Sequence, residues 1–551
     1  MGIGAGRRAP LGGSDCAQYA RHLASHILSP HVGFFWFAPF ERTRHKSGCK
    51  GGKLEMTDIT SGYAASEGAA HAQLDRARLD PELYNEDQLP TTAAERTWNW
   101  LSISALWVGM VVCIPTYLLA SYLIGAGMSW DQAVLTILAA NAIVLIPMVL
   151  VGHAGTKYGI PFPVLLRASF GPVGAKIPAV ARGIVACGWF GIQTWVGGSA
   201  IFVIVNKLTG GALAAEALPL LGISLGEFVC FLAFWGLHLY FIKNGTESIR
   251  WLETYAAPFL LAMGLALLAW AYSAAGGFGE MLSTPSAFDV GQPKEGQFWA
   301  VFWPSLTGMI GYWATLALNI PDFTRHARSQ KDQLVGQMVG LPIPMALFAF
   351  IASAVTSATV VIFGEAIWDP VQLSERMGGS AVIIALFALI VATLTTNLAA
   401  NVVAPAHGFA NLAPSKINLK RGGYITAAIG IAMFPWILVN HIVGWLIAYS
   451  ALLGPIAGVM LADYYLLRKT RLEVADLFKS NGIYAGHNGT NWAGVLALVI
   501  GILPNLPGFL AGVGLTDGTS PFFAMIYTYA WFVGLFVAGA AYLLLSKMVN
   551  K

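Results

Sequence analysis

The sequence predicts an all-α polytopic membrane protein, a bundle of about twelve transmembrane helices. Three observations carry this. First, the 551 residues are 56% hydrophobic and 11% charged, with a mean hydropathy of +0.63, too apolar and too poor in charge for a soluble globular domain. Second, runs almost free of charge recur from Trp100 to Leu545, each long enough to cross a ~30 Å hydrocarbon core at ~20 residues per helix. Third, basic residues gather in alternate connections between these runs.

Residues 1–55 differ from the rest, being rich in Gly, Arg and His, and their apolar patch Val32–Phe40 is too short to span. They carry no clear signal-peptide core and are expected to be disordered, or an over-extended start with Met56 as the natural initiator. Residues 56–97 form a polar lead-in that ends in a helix-cap pattern over Tyr84–Arg96. The membrane domain then runs over residues 98–547. Its expected spans are 99–124, 132–152, 179–206, 222–242, 252–274, 299–319, 336–363, 380–401, 423–439, 441–466, 491–510 and 521–546. With an inner N-terminus, the inner connections carry Lys157, Arg167, Lys176 and Arg182, then Lys243 and Arg250. Arg325, Arg328 and Lys331 follow, then Lys416, Lys420 and Arg421, and last Arg468, Lys469, Arg471 and Lys479. The outer ones carry only Lys207, Lys294 and Arg376. The positive-inside rule therefore predicts both termini in the cytoplasm of an integral protein of the plasma (inner) membrane.

Spans one and six each carry mid-helix breakers, Gly109 with Pro115 in one and Gly308 with Gly311 in the other. If residues 98–274 and 299–466 are inverted repeats, with 491–547 as extra helices, these are corresponding positions. Interrupted helices at matching places in two halves point to a binding site at the bilayer midplane. The expectation is that both spans are broken.

The polar residues of the apolar runs narrow the chemistry. Trp189 and Gln193 lie four apart, so a helix puts an aromatic plate and an amide on one face. The eighth span ends in a polar group of Thr395, Thr396, Asn397 and Asn401. Hydroxyls and freed carbonyls suit a dehydrated sodium ion, and the same side chains also serve helix–helix hydrogen bonding. Carboxylates are sparse inside the spans: Glu227, Glu253, Asp322 and Asp463 lie near helix ends. Neutral donors favour Na⁺ over H⁺ as coupling ion, since proton relays are marked by intramembrane ionisable groups. His238 is expected to be a packed, hydrogen-bonded histidine. Cys16, Cys49, Cys113, Cys187 and Cys230 form no metal or disulfide pattern. No nucleophile elbow, zinc motif, phosphate loop or channel-filter repeat occurs, and nothing favours nucleic acid as a partner.

Several motifs together resemble one family. They are Asn85-Glu-Asp with Glu95-Arg-Thr-Trp98, Gly159-Ile-Pro-Phe-Pro-Val164, Arg167-Ala-Ser-Phe-Gly171 and Gly188-Trp-Phe-Gly-Ile-Gln-Thr-Trp195. Asn319-Ile-Pro-Asp-Phe323, Thr396-Asn-Leu-Ala-Ala-Asn401 and Ala462-Asp-Tyr-Tyr465 complete the set. The pattern is similar to the nucleobase:cation symporter-1 family, over roughly residues 85–545. The resemblance implies a leucine-transporter-like five-plus-five inverted repeat with two extra C-terminal helices. It also implies import of a flat ring of the nucleobase, hydantoin or allantoin type, and no enzymatic activity. By resemblance to the family's sodium-coupled hydantoin transporter, Trp189 and Trp313 would sandwich the ring while Gln193 and Asn401 bind its amide edge. The carbonyls of Gly109, Val112 and Ala392 and the hydroxyls of Thr395 and Thr396 would hold Na⁺. Two positions depart from that transporter: Cys113 stands where it has glutamine, and Tyr312 where it has glycine. The alternatives are a proton-coupled nucleobase permease, or a substrate-sensing or channel-like protein of the same fold. The outward gate is expected in Val443–Tyr449. No oligomeric state is read from the sequence.

Overall fold

Pro115 dictates the first feature of the fold. Its ring displaces the carbonyl four residues back and it has no N–H to donate, so a helix cannot run through it. In the computed structural model the first span is accordingly two helices, α1 (Trp100–Val111) and α2 (Ile114–Gly125), bent by 59°. Pro115 sits at the second position of α2, where its missing N–H costs nothing. Cys113, between the two, is extended (φ −146°, ψ 162°).

The structure describes residues 79–213, 216–244, 246–377 and 381–549; the expectations for residues 1–55 and for most of the lead-in lie outside them. Where the lead-in is described, Thr92 and Glu95 close a reciprocal capping box, as the cap pattern predicts. The chain continues as α3 (Trp130–Tyr158), α4 (Lys176–Leu208), α5 (Leu225–Asn244), α6 (Thr246–Ala274), α7 (Phe298–Asn319), α8 (Pro342–Phe363), α9 (Ala381–Asn401), α10 (Leu419–Ala432), α11 (Ile442–Leu461), α12 (Trp492–Ile502) and α13 (Ala530–Val549). Helical segments thus lie at every expected span, and no strand occurs among the described residues. Eight helices there are long and apolar enough to cross a membrane, nine if the bent pair is one span. α7 is not among them; it lies inside the bundle, with every residue from Ser305 to Asn319 buried. It packs against α3 and α11, while α4 packs against α5 and α9.

The predicted break in span six does not occur. α7 runs unbroken from Phe298 to Asn319 through Gly308 and Gly311. Its glycines serve packing: a methyl at Gly311 would overlap Ser450 Oγ and lie 2.9 Å from Leu446 O, both on α11. The glycine row of α4 works in the same way, Gly191 leaving room for the Gly430 carbonyl of α10.

Arg182 also departs from expectation. The charge pattern counts it with an inner connection although the span 179–206 contains it; α4 begins at Lys176, and Arg182 is a buried helical residue, 3% exposed. Two of the acids expected at helix ends, Asp463 and Asp322, behave as anchors. Asp463 pairs with Arg468 Nε (2.7 Å) and accepts from Ser169 Oγ and Tyr542 OH. Asp322 accepts from the backbone N–H of Phe162 (2.8 Å).

Candidate functional site

The break between α1 and α2 changes the hydrogen bonding of the backbone around it. The Cys113 amide turns away from the Gly109 carbonyl four residues back and donates to Val111 O (2.8 Å). Facing this break is the middle of α9, and Val112 and Ala392 line one cavity between the two. The Thr395 hydroxyl donates to Ala392 O (2.9 Å). Its proton is thereby held on the main chain and its lone pairs are left for another partner. Carbonyls released by a helix break and a hydroxyl with its proton already placed are suitable donors for a hard monovalent cation. The five expected ligands are divided, however. Thr396, at 100° around α9 from Thr395, lines a different cavity.

That second cavity gathers the expected ring-binding residues. Trp189 and Gln193 from α4, Tyr312 and Trp313 from α7, and Thr396 and Asn401 from α9 all line it, with Met110 of α1. All six are buried. The cavity is small, about 30 Å³. Trp189 and Trp313 are not set as an open sandwich, because Tyr312 lies against both. Its ring centroid is 5.4 Å from Trp189, edge-on, and 4.6 Å from Trp313. A heterocycle entering this cavity therefore has to displace the Tyr312 ring.

The two departures noted in the sequence are in contact. Tyr312 OH is 3.3 Å from Cys113 Sγ and 3.1 Å from Thr116 Oγ1. A small side chain at 113 leaves the space that a tyrosine hydroxyl at 312 occupies. Cys113 thus makes room for Tyr312, whose ring narrows the cavity.

Asn401 is oriented by a chain of buried partners. Its Nδ2 donates to Asn397 Oδ1 (3.1 Å), leaving its carbonyl oxygen and one N–H for the cavity. Asn397 Nδ2 in turn meets Phe190 O, Thr194 Oγ1 and His238 Nε2 at 3.0–3.1 Å. His238 Nδ1 lies 2.9 Å from Phe234 O, so the network assigns its proton to Nδ1. His238 is the packed, hydrogen-bonded histidine expected. Gln193 Oε1 is buried without a protein partner, which leaves an unused acceptor on a residue that lines the cavity.

Comparison with known proteins identifies the family and the fold. A family model described as permease for cytosine/purines, uracil, thiamine, allantoin matches residues 90–534. The chain belongs to this permease family. A purine-uracil permease of Arabidopsis thaliana is 47% identical over 485 residues, 87% of this chain and 80% of that protein. An allantoin permease of Bacillus subtilis is 39% identical over 474 residues, 85% of this chain and 94% of that protein. Among solved structures, Mhp1 in an inward-facing conformation aligns with a TM-score of 0.68 at 25% identity, covering 85% of this chain and 95% of Mhp1. Mhp1 closed around bromovinylhydantoin, a nucleobase-cation-symport-1 family transporter, aligns at 0.65 and 26% identity over 85% and 96% of the two chains. The permease is an integral membrane transporter of the leucine-transporter-like fold, not an enzyme.

Some residues that line or support this permease's cavity escape a reading of the sequence. Tyr449 of α11, outside the lining, accepts a hydrogen bond from Trp189 Nε1 (3.2 Å); it falls in the expected gate segment, but nothing local ties it to Trp189. Arg182 also lines the cavity. Here a signal exists: Arg182, Trp189 and Gln193 are spaced by seven and four residues, a single stripe along a helix.

Proposed function

We propose that this permease imports a flat nitrogen heterocycle of the nucleobase, hydantoin or allantoin type by alternating access, in symport with Na⁺. The observation that carries the reading is the cavity lined by Trp189, Gln193, Tyr312, Trp313, Thr396 and Asn401 from three helices. Aromatic faces hold the ring, each stack contributing ~1–3 kcal/mol by the scale of nucleic-acid binders. The amides of Gln193 and Asn401 select its polar edge, since an analogue without the matching N–H or C=O leaves buried groups unpaired.

The cation would be held by Gly109 O, Val112 O, Ala392 O and the Thr395 hydroxyl, with Thr396 left to the ring cavity, and when bound it supplies positive charge beside the break between α1 and α2. This chain's own part is to join that break to the ring site. Cys113 and Thr116 lie at the start of α2 and hold Tyr312, whose ring covers the cavity. A shift of α2 relative to α9 is therefore felt at Tyr312. By linkage, whatever the cation does to substrate affinity the substrate does equally to cation affinity. The basic connections face the cytoplasm, placing both termini there in the plasma membrane.

Uptake of labelled uracil, allantoin and benzylhydantoin into vesicles, with and without an imposed sodium gradient, tests the reading. Saturable uptake that rises with the gradient is expected. Uptake driven by a proton gradient alone refutes sodium coupling, and no uptake of any ring compound refutes the function.

A further inference from the structure

Arg182 is the one strongly charged side chain lining the ring cavity, and the reading above leaves it without a role. It is 3% exposed. Nη2 donates to Asn319 Oδ1 at 2.8 Å, while Nε and Nη1 are buried with no protein partner. Asn319 is held in turn, its Nδ2 donating to Asp322 Oδ2 at 3.3 Å. The other oxygen of Asp322 accepts from the Phe162 backbone. Asp322 attracts the guanidinium through space, but the hydrogen bond that Arg182 makes goes to the neutral amide of Asn319. A guanidinium in a membrane interior with one neutral partner is expensive, and such residues are kept where a ligand or pathway uses them.

Its position points to what the ligand offers. Arg182 precedes Trp189 by seven residues on α4, which puts it about 10 Å along the axis at 1.5 Å per residue. Asn319 follows Trp313 by six on α7. Arg182 therefore lines the cavity towards the start of α4, and Asn319, which lies outside the lining, holds it from behind. The Arg182 guanidinium presents donors only, since it has no acceptor. Farther along α4, Gln193 Oε1 presents an unpaired acceptor.

We infer that Arg182 is a specificity-determining residue of this pocket: its free N–H groups receive a carbonyl oxygen of the substrate, so that the permease prefers dioxo rings over amino-substituted ones. This rests on the proposed ring transport and narrows it. A cyclic imide or ureide offers an N–H to Gln193 and a C=O to Arg182. An aminopyrimidine that directs its –NH₂ to Arg182 meets donor against donor, and the buried guanidinium stays unpaired.

The test uses the full chain in vesicles, with labelled uracil as substrate and unlabelled hydantoin and cytosine as competitors. Wild type should be inhibited by hydantoin at least ~10-fold more strongly than by cytosine. Arg182→Gln should raise the KM for uracil ~10–100-fold, the range for a hydrogen bond to a charged group. It should leave the maximal rate far less affected and bring the cytosine-to-hydantoin ratio towards one. Arg182→Lys, which keeps a charged donor, should retain most of the preference. A lower maximal rate with an unchanged KM and competitor ratio overturns the inference, because that is what a purely structural or gating arginine produces. Asn319→Ala decides the matter if Arg182→Gln does not reach the membrane. A ratio moving towards one supports the assignment and an unchanged ratio overturns it. Absence of any ring uptake by wild type is a separate outcome that removes the transport reading itself.

Discussion

Tyr312 is the residue whose removal should change this permease most informatively. It is 8% exposed, stands against Trp189 and Trp313, and is tied through its hydroxyl to Cys113 and Thr116. In Tyr312→Ala the two ring contacts are lost, at ~0.5–1.5 kcal/mol each, together with the buried hydroxyl bonds. The whole change should cost ~3–5 kcal/mol of stability, as for other aromatic-to-alanine replacements in cores. It should also turn a cavity of about 30 Å³ into one that admits a ring substituent. Burying such an aromatic group is worth ~1.5–3 kcal/mol, or a factor of ~10–150 in affinity. The assay is inhibition of labelled uracil uptake by 5-benzylhydantoin and by unsubstituted hydantoin. The ratio of their inhibition constants should shift by at least ~10-fold towards the benzyl compound in Tyr312→Ala, and benzylhydantoin should raise the melting temperature of the purified variant more than hydantoin does. An unchanged ratio in a variant that still takes up uracil would refute the placement of Tyr312 over the ring site.

Four further outcomes follow from the same contacts. Tyr449→Phe removes the acceptor of the Trp189 indole and should weaken substrate affinity ~2–10-fold in uptake assays, the size of one hydrogen bond. Asn397→Ala frees Asn401 and orphans His238 Nε2; uptake should fall at least ~10-fold, with a loss of ~1–3 kcal/mol seen as a lower melting temperature. Thr395→Ala should raise the sodium concentration for half-maximal uptake without removing ring binding measured at saturating sodium. His326, in the connection after α7, is pushed down to about 4, chiefly by burial and then by Arg325. Its folded value lies below the ~6.5 of an unfolded chain, so the unfolded state binds more protons between the two. The stability is then present above about pH 6.5 and lost as pH falls towards 4. Melting temperature should drop across that window in wild type and less steeply in His326→Gln.

The parts of this molecule that could be read from the sequence are those set by local physics. Pro115 interrupts a helix whatever surrounds it, and the four-residue spacing of Trp189 and Gln193 puts them on one face of any helix. Charge-free runs locate the helices for the same reason. What could not be read depends on a neighbour. Gly308 and Gly311 look like a break until α11 is seen packed on them. Tyr449 reaches Trp189 across 260 residues of sequence. Cys113 and Tyr312 are separate oddities in the chain and one contact in the fold. Arg182 was misplaced because a basic residue near a span end reads as a loop anchor, and only its burial beside Asn319 shows otherwise.

The central claim is that Trp189 and Asn401, brought to one cavity from α4 and α9, bind the transported ring. Saturable uptake of labelled uracil or allantoin into vesicles, compared among wild type, Trp189→Ala and Asn401→Ala at equal membrane protein, tests it most directly. The account predicts that saturable uptake collapses at least ~10-fold in both variants, while non-saturable passive flux is unchanged. Saturable uptake at wild-type level in either variant would contradict it.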